Sequence, residues 1–138
     1  MKILLDTNVI IDAVASREPW NTVAEKIILL ASQEKLEAII CASAVTDIYY
    51  ICNKVFHDDV KAREVIKSLF SIFSITDVKK KDLKDALNLD MADYEDALIC
   101  TCAKRTNSQF IITRNTKDFA NSPVPIINPQ DFISKFFK

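Results

Sequence analysis

Several acidic residues stand where predicted buried strands or helices begin or end. Asp6 directly follows the apolar run Ile3–Leu5, and Asp93 and Asp96 stand three residues apart at the start of an almost wholly apolar helix. Asp47 falls at the border of the apolar face of another predicted helix. Each acid also has a structural interpretation, because aspartate caps helices and occupies their solvated edges.

Polar side chains also follow the predicted strand at 109–112, where Thr113, Arg114, Asn115 and Asp118 stand. Such residues are common in turns. However, four separate elements then supply a carboxylate or amide oxygen to one end of the predicted sheet. Mg²⁺ and Mn²⁺ prefer oxygen ligands, and a cation would relieve the repulsion between clustered carboxylates. We therefore expect a divalent metal site at this end.

The elements that must position these residues alternate between short apolar runs and longer helical patterns. Strands are predicted at 2–5, 36–41, 73–76, 109–112 and 124–127, and helices at 8–15, 22–33, 43–55, 58–70, 79–87, 93–104 and 129–137. This alternation predicts a three-layer α/β/α sandwich with a central parallel sheet of about five strands. We expect residues 1–138 to form one domain, with ligands beyond the carboxyl ends of the strands.

Composition excludes several classes of site. The chain has 138 residues, a net charge of -1 and no glycine. A phosphate-binding P-loop, a dinucleotide-binding glycine turn and a nucleophile elbow all need glycine, so they are excluded. The balanced charge gives no overall attraction to nucleic acid, and a polyanion must be bound by a local patch or through metal ions.

The cysteines and the N-terminus predict a reduced, cytoplasmic protein. Cys41, Cys52, Cys100 and Cys102 lack metal-binding spacing, and His57 is the only histidine. We therefore expect four free buried thiols and no zinc site. No stretch reaches the roughly 18 apolar residues of a membrane span, so we expect no membrane association.

Four sequence blocks resemble the PIN domain, and most closely the bacterial branch related to VapC-type ribonuclease toxins. The blocks are LLDTNVIIDAV, SAVTDIYYI, DYEDALICTCA and FIITRNTKDF, and the resemblance runs from residue 2 to about residue 127. It implies a metal bound by Asp6, Asp47 and Asp96, with Asn115 and Asp118 flanking a fourth ligand position. Asn8, Asp93, Thr113 and Arg114 are assigned to support of the ligands or to contact with the substrate.

Two positions depart from the family pattern. Many members have glutamate where this chain has Asp47, and one methylene less shortens the reach of the carboxylate. Many also have aspartate where this chain has Asn115, which lowers the charge of the site unless Asp118 substitutes.

The resemblance implies a Mg²⁺- or Mn²⁺-dependent endoribonuclease that hydrolyses phosphodiester bonds in RNA and acts as the toxin of a toxin-antitoxin pair. The basic residues closest in sequence to the proposed site are Arg17, Arg114 and Lys117, which we expect to attract the phosphate backbone. Trp20 is a candidate for stacking on an unpaired base.

The resemblance also implies an antitoxin protein partner and a homodimer. Apolar residues of the helix at 43–55 and of the C-terminus give the homodimer weak support. They are Ile48, Tyr49, Phe56, Phe132, Phe136 and Phe137.

Two other functions stay open at this point. One is a catalytically inactive PIN-like module that binds RNA or protein, which Asn115 keeps possible. The other is a phosphohydrolase of the haloacid-dehalogenase type with Asp6 as nucleophile. That class usually has a second aspartate where Asn8 stands and a glycine that this chain lacks, so it receives less weight.

Overall fold

The computed structural model describes residues 1–138, and its centre is a five-stranded sheet. The strands are β1 (Lys2–Leu5), β2 (Glu37–Cys41), β3 (Ser74–Thr76), β4 (Phe110–Ile112) and β5 (Ile126–Ile127). The helices are α1 (Thr7–Val14), α2 (Asn21–Ser32), α3 (Ala42–Phe56), α4 (Asp59–Ile72), α5 (Lys80–Ala86), α6 (Tyr94–Arg105) and α7 (Pro129–Phe136), with a 3-10 helix at Thr116–Phe119.

All neighbouring strands are parallel, in the order β3-β2-β1-β4-β5. The chain runs outward from β1 through β2 to β3 and then returns to the other side of β1 to form β4. The strand order therefore reverses beside β1, and such a switch point opens a crevice at the carboxyl ends of the strands. Leu5 pairs with Ile112, so the residues that follow β1 and β4 are neighbours in space.

Alternate residues of β1 point to opposite faces of the sheet, as the period of two in a strand requires. Ile3 and Leu5 join a core with residues of α1, α2, α3, α4 and α7. Leu4 joins a second core with residues of α5, α6 and the 3-10 helix. Helices thus cover both faces of the sheet, and the predicted three-layer α/β/α architecture is confirmed.

The predicted element boundaries differ from the structure by one or two residues in most cases. Strand β5 is shorter than predicted and begins at Ile126, because Pro125 has no N–H to donate to the sheet. The carbonyl of Pro125 still accepts a hydrogen bond from the Ile111 N–H at 2.9 Å. The predicted turn that holds Asn115 and Asp118 includes the 3-10 helix.

The burial of individual side chains tests the predictions for the cysteines and for the homodimer interface. All four cysteines are buried and free, as predicted. Ile48 and Phe132 are also fully buried in the core, so the support that they gave to a homodimer interface was wrong.

None of the helices combines the length and the apolar character that a membrane crossing requires.

Candidate metal centre

The Asp6 carboxylate lies at the switch point and is fixed from two sides. Its Oδ1 accepts a hydrogen bond from the Thr7 N–H at 2.8 Å, so Asp6 does cap α1. Its Oδ2 accepts from the Thr113 hydroxyl at 2.8 Å and from the Asn8 amide at 3.3 Å. These bonds hold the buried carboxylate in one orientation while Oδ1 keeps a further acceptor site.

Thr113 connects the turn after β4 to the N-terminus of α1. Its buried hydroxyl donates to Asp6 and accepts from the Asn115 N–H at 3.1 Å and the Asn8 amide at 3.4 Å. Asn8 Oδ1 in turn accepts from the Arg114 N–H at 3.4 Å. The sequence analysis assigned Asn8 and Thr113 to support of a ligand, and the structure places both in contact with Asp6.

Asp96 is half-buried in the first turn of α6, and its backbone N–H donates to Asp93 Oδ1 at 2.9 Å. Asp93 therefore caps α6 and orients the turn that carries Asp96. Burial raises the pKa of Asp96 to about 7, with further contributions from the charges of Asp93, Asp6 and Asp118. The negative charges of acids from three separate elements thus raise the pKa of one carboxyl group.

Asp118 lies on the 3-10 helix, with its carboxylate exposed. The pKa of Asp6 is raised by burial and then by the charge of Asp118, against the lowering effects of Thr113, Thr7 and Arg114. The side-chain amide of Asn115 makes no hydrogen bond within the protein, while the backbone carbonyl of Asn115 accepts from the Asp118 N–H at 3.0 Å. Among the residues that follow β4, Asp118 supplies the negative charge that raises the pKa of Asp6 and of Asp96.

Asp47 lies on α3, where its side chain is exposed and makes no hydrogen bond within the protein. Its charge acts on Glu95, whose pKa is raised by burial and then by Asp47, Asp93 and Asp6. Sequence analysis missed Glu95, although its place beside Asp96 in the first turn of α6 was a usable signal. The charges of Asp47 and of the other acids thus both act on Glu95.

A cleft of about 500 Å³ opens beside these acids. Asp93, Asp96 and Asp118 line it together with Lys117, whose ammonium is the positive charge among them. Asn121 closes one side, because its amide donates to the Asp90 carbonyl at 3.1 Å and joins the two loops. The cleft therefore combines carboxylates for a cation with one cation for an anion.

The donor set suits a hard cation. No three acidic, imidazole or thiol groups converge closely enough to hold one ion between them. Mg²⁺ commonly takes one or two carboxylates and keeps several waters, so a closed cage is not required. The mutual repulsion of Asp6, Asp96 and Asp118 gives a divalent cation a favourable position among them. The residues therefore fit Mg²⁺ or Mn²⁺ bound partly through water.

Of the basic residues expected at the rim, Arg17 and Lys117 are exposed, whereas Arg114 is held within the protein. Its guanidinium pairs with the buried Asp12 of α1 and lies over the ring of Trp20. Asp12 was not among the residues expected at the site, and its only signal in the sequence was an acid directly after the three apolar residues Val9–Ile11 of α1.

The fold and the site define a doubly wound α/β protein with an acidic cluster at its switch point. A family model of the PIN domain matches residues 2–117, and the chain belongs to the PIN-domain family. Proteins of this family are nucleases and generally use divalent metal ions.

Solved structures share the fold over almost the whole chain. VapBC2 from Rickettsia felis, bound to a DNA fragment from its promoter, has 20% identity and a TM-score of 0.71, covering 93% of this chain and 98% of that one. A toxin-antitoxin complex from Klebsiella pneumoniae has 26% identity and a TM-score of 0.65, covering 92% and 97%.

VapC20 from Mycobacterium tuberculosis, a toxin that cleaves the sarcin-ricin loop, is a more distant match. It has 11% identity and a TM-score of 0.61, and the similarity covers 79% of this chain and 86% of that one. A search of curated proteins found no significant match.

Proposed function

We propose that this protein is a metal-dependent endoribonuclease that acts as the toxin of a toxin-antitoxin pair. The observation that carries the proposal is that Asp6, Asp96 and Asp118, from three separate elements of a PIN-domain chain, act on one another through their charges. Repulsion between these acids costs free energy in the absence of a counterion, and a shared divalent cation would relieve it.

Asp6 and Asp96 would hold Mg²⁺ or Mn²⁺, with Asp118 or Asn115 assisting from the opposite side. Asp47 would serve as a further ligand, as the family resemblance implies, and Glu95, on which the charge of Asp47 acts, adds negative charge to the site. When bound, the ion supplies a coordinated water of lowered pKa and stabilises the charge that builds on the scissile phosphate. This chemistry requires no covalent nucleophile from the protein.

The surrounding residues set the geometry of this site. Thr113 and Asn8 fix the carboxylate of Asp6, and Asp93 fixes the turn that carries Asp96. Lys117, inside the cleft, attracts the RNA backbone past the acidic walls. Positive charge is needed here because carboxylates alone would repel the phosphates.

We propose further that the protein is a single cytoplasmic domain that forms a homodimer and is held inactive by an antitoxin. The toxin-antitoxin complexes among the structural neighbours support the antitoxin partner. A short gene for a DNA-binding protein beside this one would identify that partner. Its co-expression should relieve growth arrest caused by this protein and should form a stable complex with it.

Incubation of the purified protein with a labelled single-stranded RNA, in Mg²⁺, in Mn²⁺ or in EDTA, tests the proposed activity. We expect cleavage with either metal and none in EDTA. RNA that is bound but never cut would instead support the inactive binding module. Phosphate release from a simple phosphomonoester, without RNA cleavage, would support the phosphohydrolase.

Thermal melting tests the metal site independently of any substrate. Mn²⁺ should raise the melting temperature of the protein, because an ion that binds only the folded state stabilises it. Asp96→Asn should remove most of this increase. The same increase in both proteins would place the ion elsewhere.

A further inference from the structure

The guanidinium of Arg114 is held edge-on by a carboxylate of α1. Nε donates to Asp12 Oδ2 at 2.8 Å, and Nη2 donates to Asp12 Oδ1 at 3.1 Å. The side chain of Asp12 is only 2% exposed, and that of Arg114 is 26% exposed. This two-bond pairing fixes the plane of the guanidinium and the direction of its outer edge.

The indole of Trp20 restrains the same group from a second direction. The Cζ atom of Arg114 lies 4.0 Å from the centroid of the Trp20 ring, within the range of a cation-π contact. Asp12 thus holds the guanidinium through two hydrogen bonds, and Trp20 holds it through the contact with its ring. We call Asp12, Trp20 and Arg114 the arginine clamp.

One edge of the clamped guanidinium is left for a ligand. Nη1 of Arg114 makes no hydrogen bond within the protein, and no buried polar side-chain atom lacks a partner, so Nη1 is open to solvent. Arg114 directly follows Thr113, which contacts Asp6. The clamp therefore holds two N–H donors of a fixed cation next to the candidate metal centre.

The partner of such a donor is an anion with oxygen acceptors. A planar guanidinium that keeps its charge at all accessible pH values suits a phosphate oxygen better than an ammonium does. A buried ion pair contributes little to stability by itself, because both groups lose their hydration. The two hydrogen bonds from Asp12 fix the orientation of Arg114, which a contact with a phosphate oxygen requires.

We propose that Asp12 and Trp20 are positioning residues that hold Arg114 so that its Nη1 edge binds one phosphate oxygen of the RNA strand. This inference rests on the proposed ribonuclease function. Asp12 and Trp20 affect the binding of RNA only through Arg114, and this distinguishes them from residues that only stabilise the fold.

The kinetic test compares KM, kcat and their salt dependence in the parent, Arg114→Ala, Asp12→Asn, Trp20→Leu and the Asp12→Asn/Arg114→Ala double variant. Arg114→Ala should raise KM for single-stranded RNA about tenfold and change kcat less. It should also lower the slope of log KM against log salt by about 0.7, the value for one phosphate contact on a single strand. Arg114→Lys should not restore KM, because lysine cannot form the two-bond pair.

Asp12→Asn and Trp20→Leu should raise KM in the parent, and Asp12→Asn should have no further effect in the Arg114→Ala background. The double variant also guards against misfolding, since it leaves no unpaired buried charge. Lys35→Ala is the matched control, because Lys35 is exposed just before β2, at the amino end of the strands, and its loss removes the same charge. An equal effect of Asp12→Asn in both backgrounds, or an unchanged KM and salt slope in Arg114→Ala, would overturn the clamp.

Fluorescence separates this inference from the proposed function. Trp20 is the only tryptophan, so its emission reports the clamp directly. In EDTA, where no cleavage is expected, RNA should change the emission of the parent and leave that of Arg114→Ala unchanged. The same change in both proteins, or no change in the parent, overturns the clamp whether or not RNA is cleaved with metal. A parent with the expected emission change but no metal-dependent cleavage overturns the ribonuclease function alone.

Discussion

The hydroxyl of Thr113 donates a hydrogen bond of 2.8 Å to the carboxylate of Asp6, which stands 107 positions earlier in the chain. The two residues follow β4 and β1, whose parallel pairing makes their ends adjacent. One short bond therefore connects the two halves of the sheet at the point where the strand order reverses. It also fixes the direction in which Asp6 presents its remaining lone pairs.

Thr113→Val should impair both the site and the fold. Valine keeps the shape of threonine but leaves Asp6 and the Asn115 N–H without their partner, at a cost of about 1 to 3 kcal/mol in the free energy of unfolding. Loss of such a supporting bond should reduce metal affinity or cleavage about 10- to 100-fold. Thr113→Ser keeps the hydroxyl and should retain most of both. Equal losses in the two variants would exclude the hydrogen bond as the cause.

The stability of the metal-free protein should depend on pH through Asp96. Its pKa of about 7 in the folded state exceeds the ordinary value of 3.8. The folded state therefore binds this proton more tightly than the unfolded chain does. The resulting stabilisation is complete below about pH 4 and is lost as the pH rises through about 7.

Melting curves in EDTA should therefore show a higher melting temperature near pH 5 than near pH 8 for the parent, and a smaller difference for Asp96→Asn. Asp59→Asn is the control, because Asp59 is an exposed acid in the first turn of α4. It should leave the pH dependence unchanged. Identical dependence of the melting temperature on pH for the parent and Asp96→Asn would show that the pKa of Asp96 is not raised in the folded protein.

A second ion pair should prove structural. Arg105 of α6 donates to the buried Asp82 of α5 and, at 2.6 Å, to the Asp77 carbonyl beyond β3. Burial would raise the pKa of Asp82, but hydrogen bonds from Arg105 and the Lys79 N–H lower it overall. Arg105→Ala should cost up to about 3 kcal/mol in the free energy of unfolding, at the low end for a broken buried pair because Arg105 is partly exposed.

Lys81→Ala is the matched control for that pair, since it removes an exposed ion pair with Asp85 in the same part of the fold. It should change the melting temperature little. The metal dependence of RNA cleavage should be the same in both variants. Equal melting temperatures for Arg105→Ala and Lys81→Ala would contradict the importance of the buried pair.

The thiols should be chemically silent in the native protein. All four cysteines are buried, and burial raises the pKa of the Cys52 and Cys100 thiols. A thiol reagent should react slowly with the native protein and should count 4 free thiols after denaturation without reductant. Fewer than four thiols, or one zinc ion per chain, would contradict this prediction.

The fold was accessible from sequence because its signals are local. Apolar runs such as Ile3–Leu5, bounded by polar residues and separated by helical patterns, predict both the strands and the layers. The position of Asp6 followed from the end of its strand. The late start of β5 depends on Pro125, which the apolar pattern alone did not reveal.

The parts of the site that were missed depend on long-range contacts. Asp12 lies in α1, and its partner Arg114 is 102 positions away, so no local pattern could pair them. Trp20 was expected to stack on a base, but one face of its ring is covered by Arg114. The position of Asp47 relative to the other acids likewise depends on how α3 lies against the sheet, which helical periodicity does not specify.

The most direct test of the central claim is the rate of RNA cleavage by Asp6→Asn and Asp96→Asn, measured beside the parent and Asp59→Asn with Mn²⁺ and with EDTA. Circular dichroism would confirm that all four proteins are folded. The parent and Asp59→Asn should cleave equally with Mn²⁺ and not in EDTA, and both site variants should lose at least about a hundredfold in rate. Full activity of Asp96→Asn, or equal cleavage by the parent in EDTA, would contradict a metal centre built on these acids.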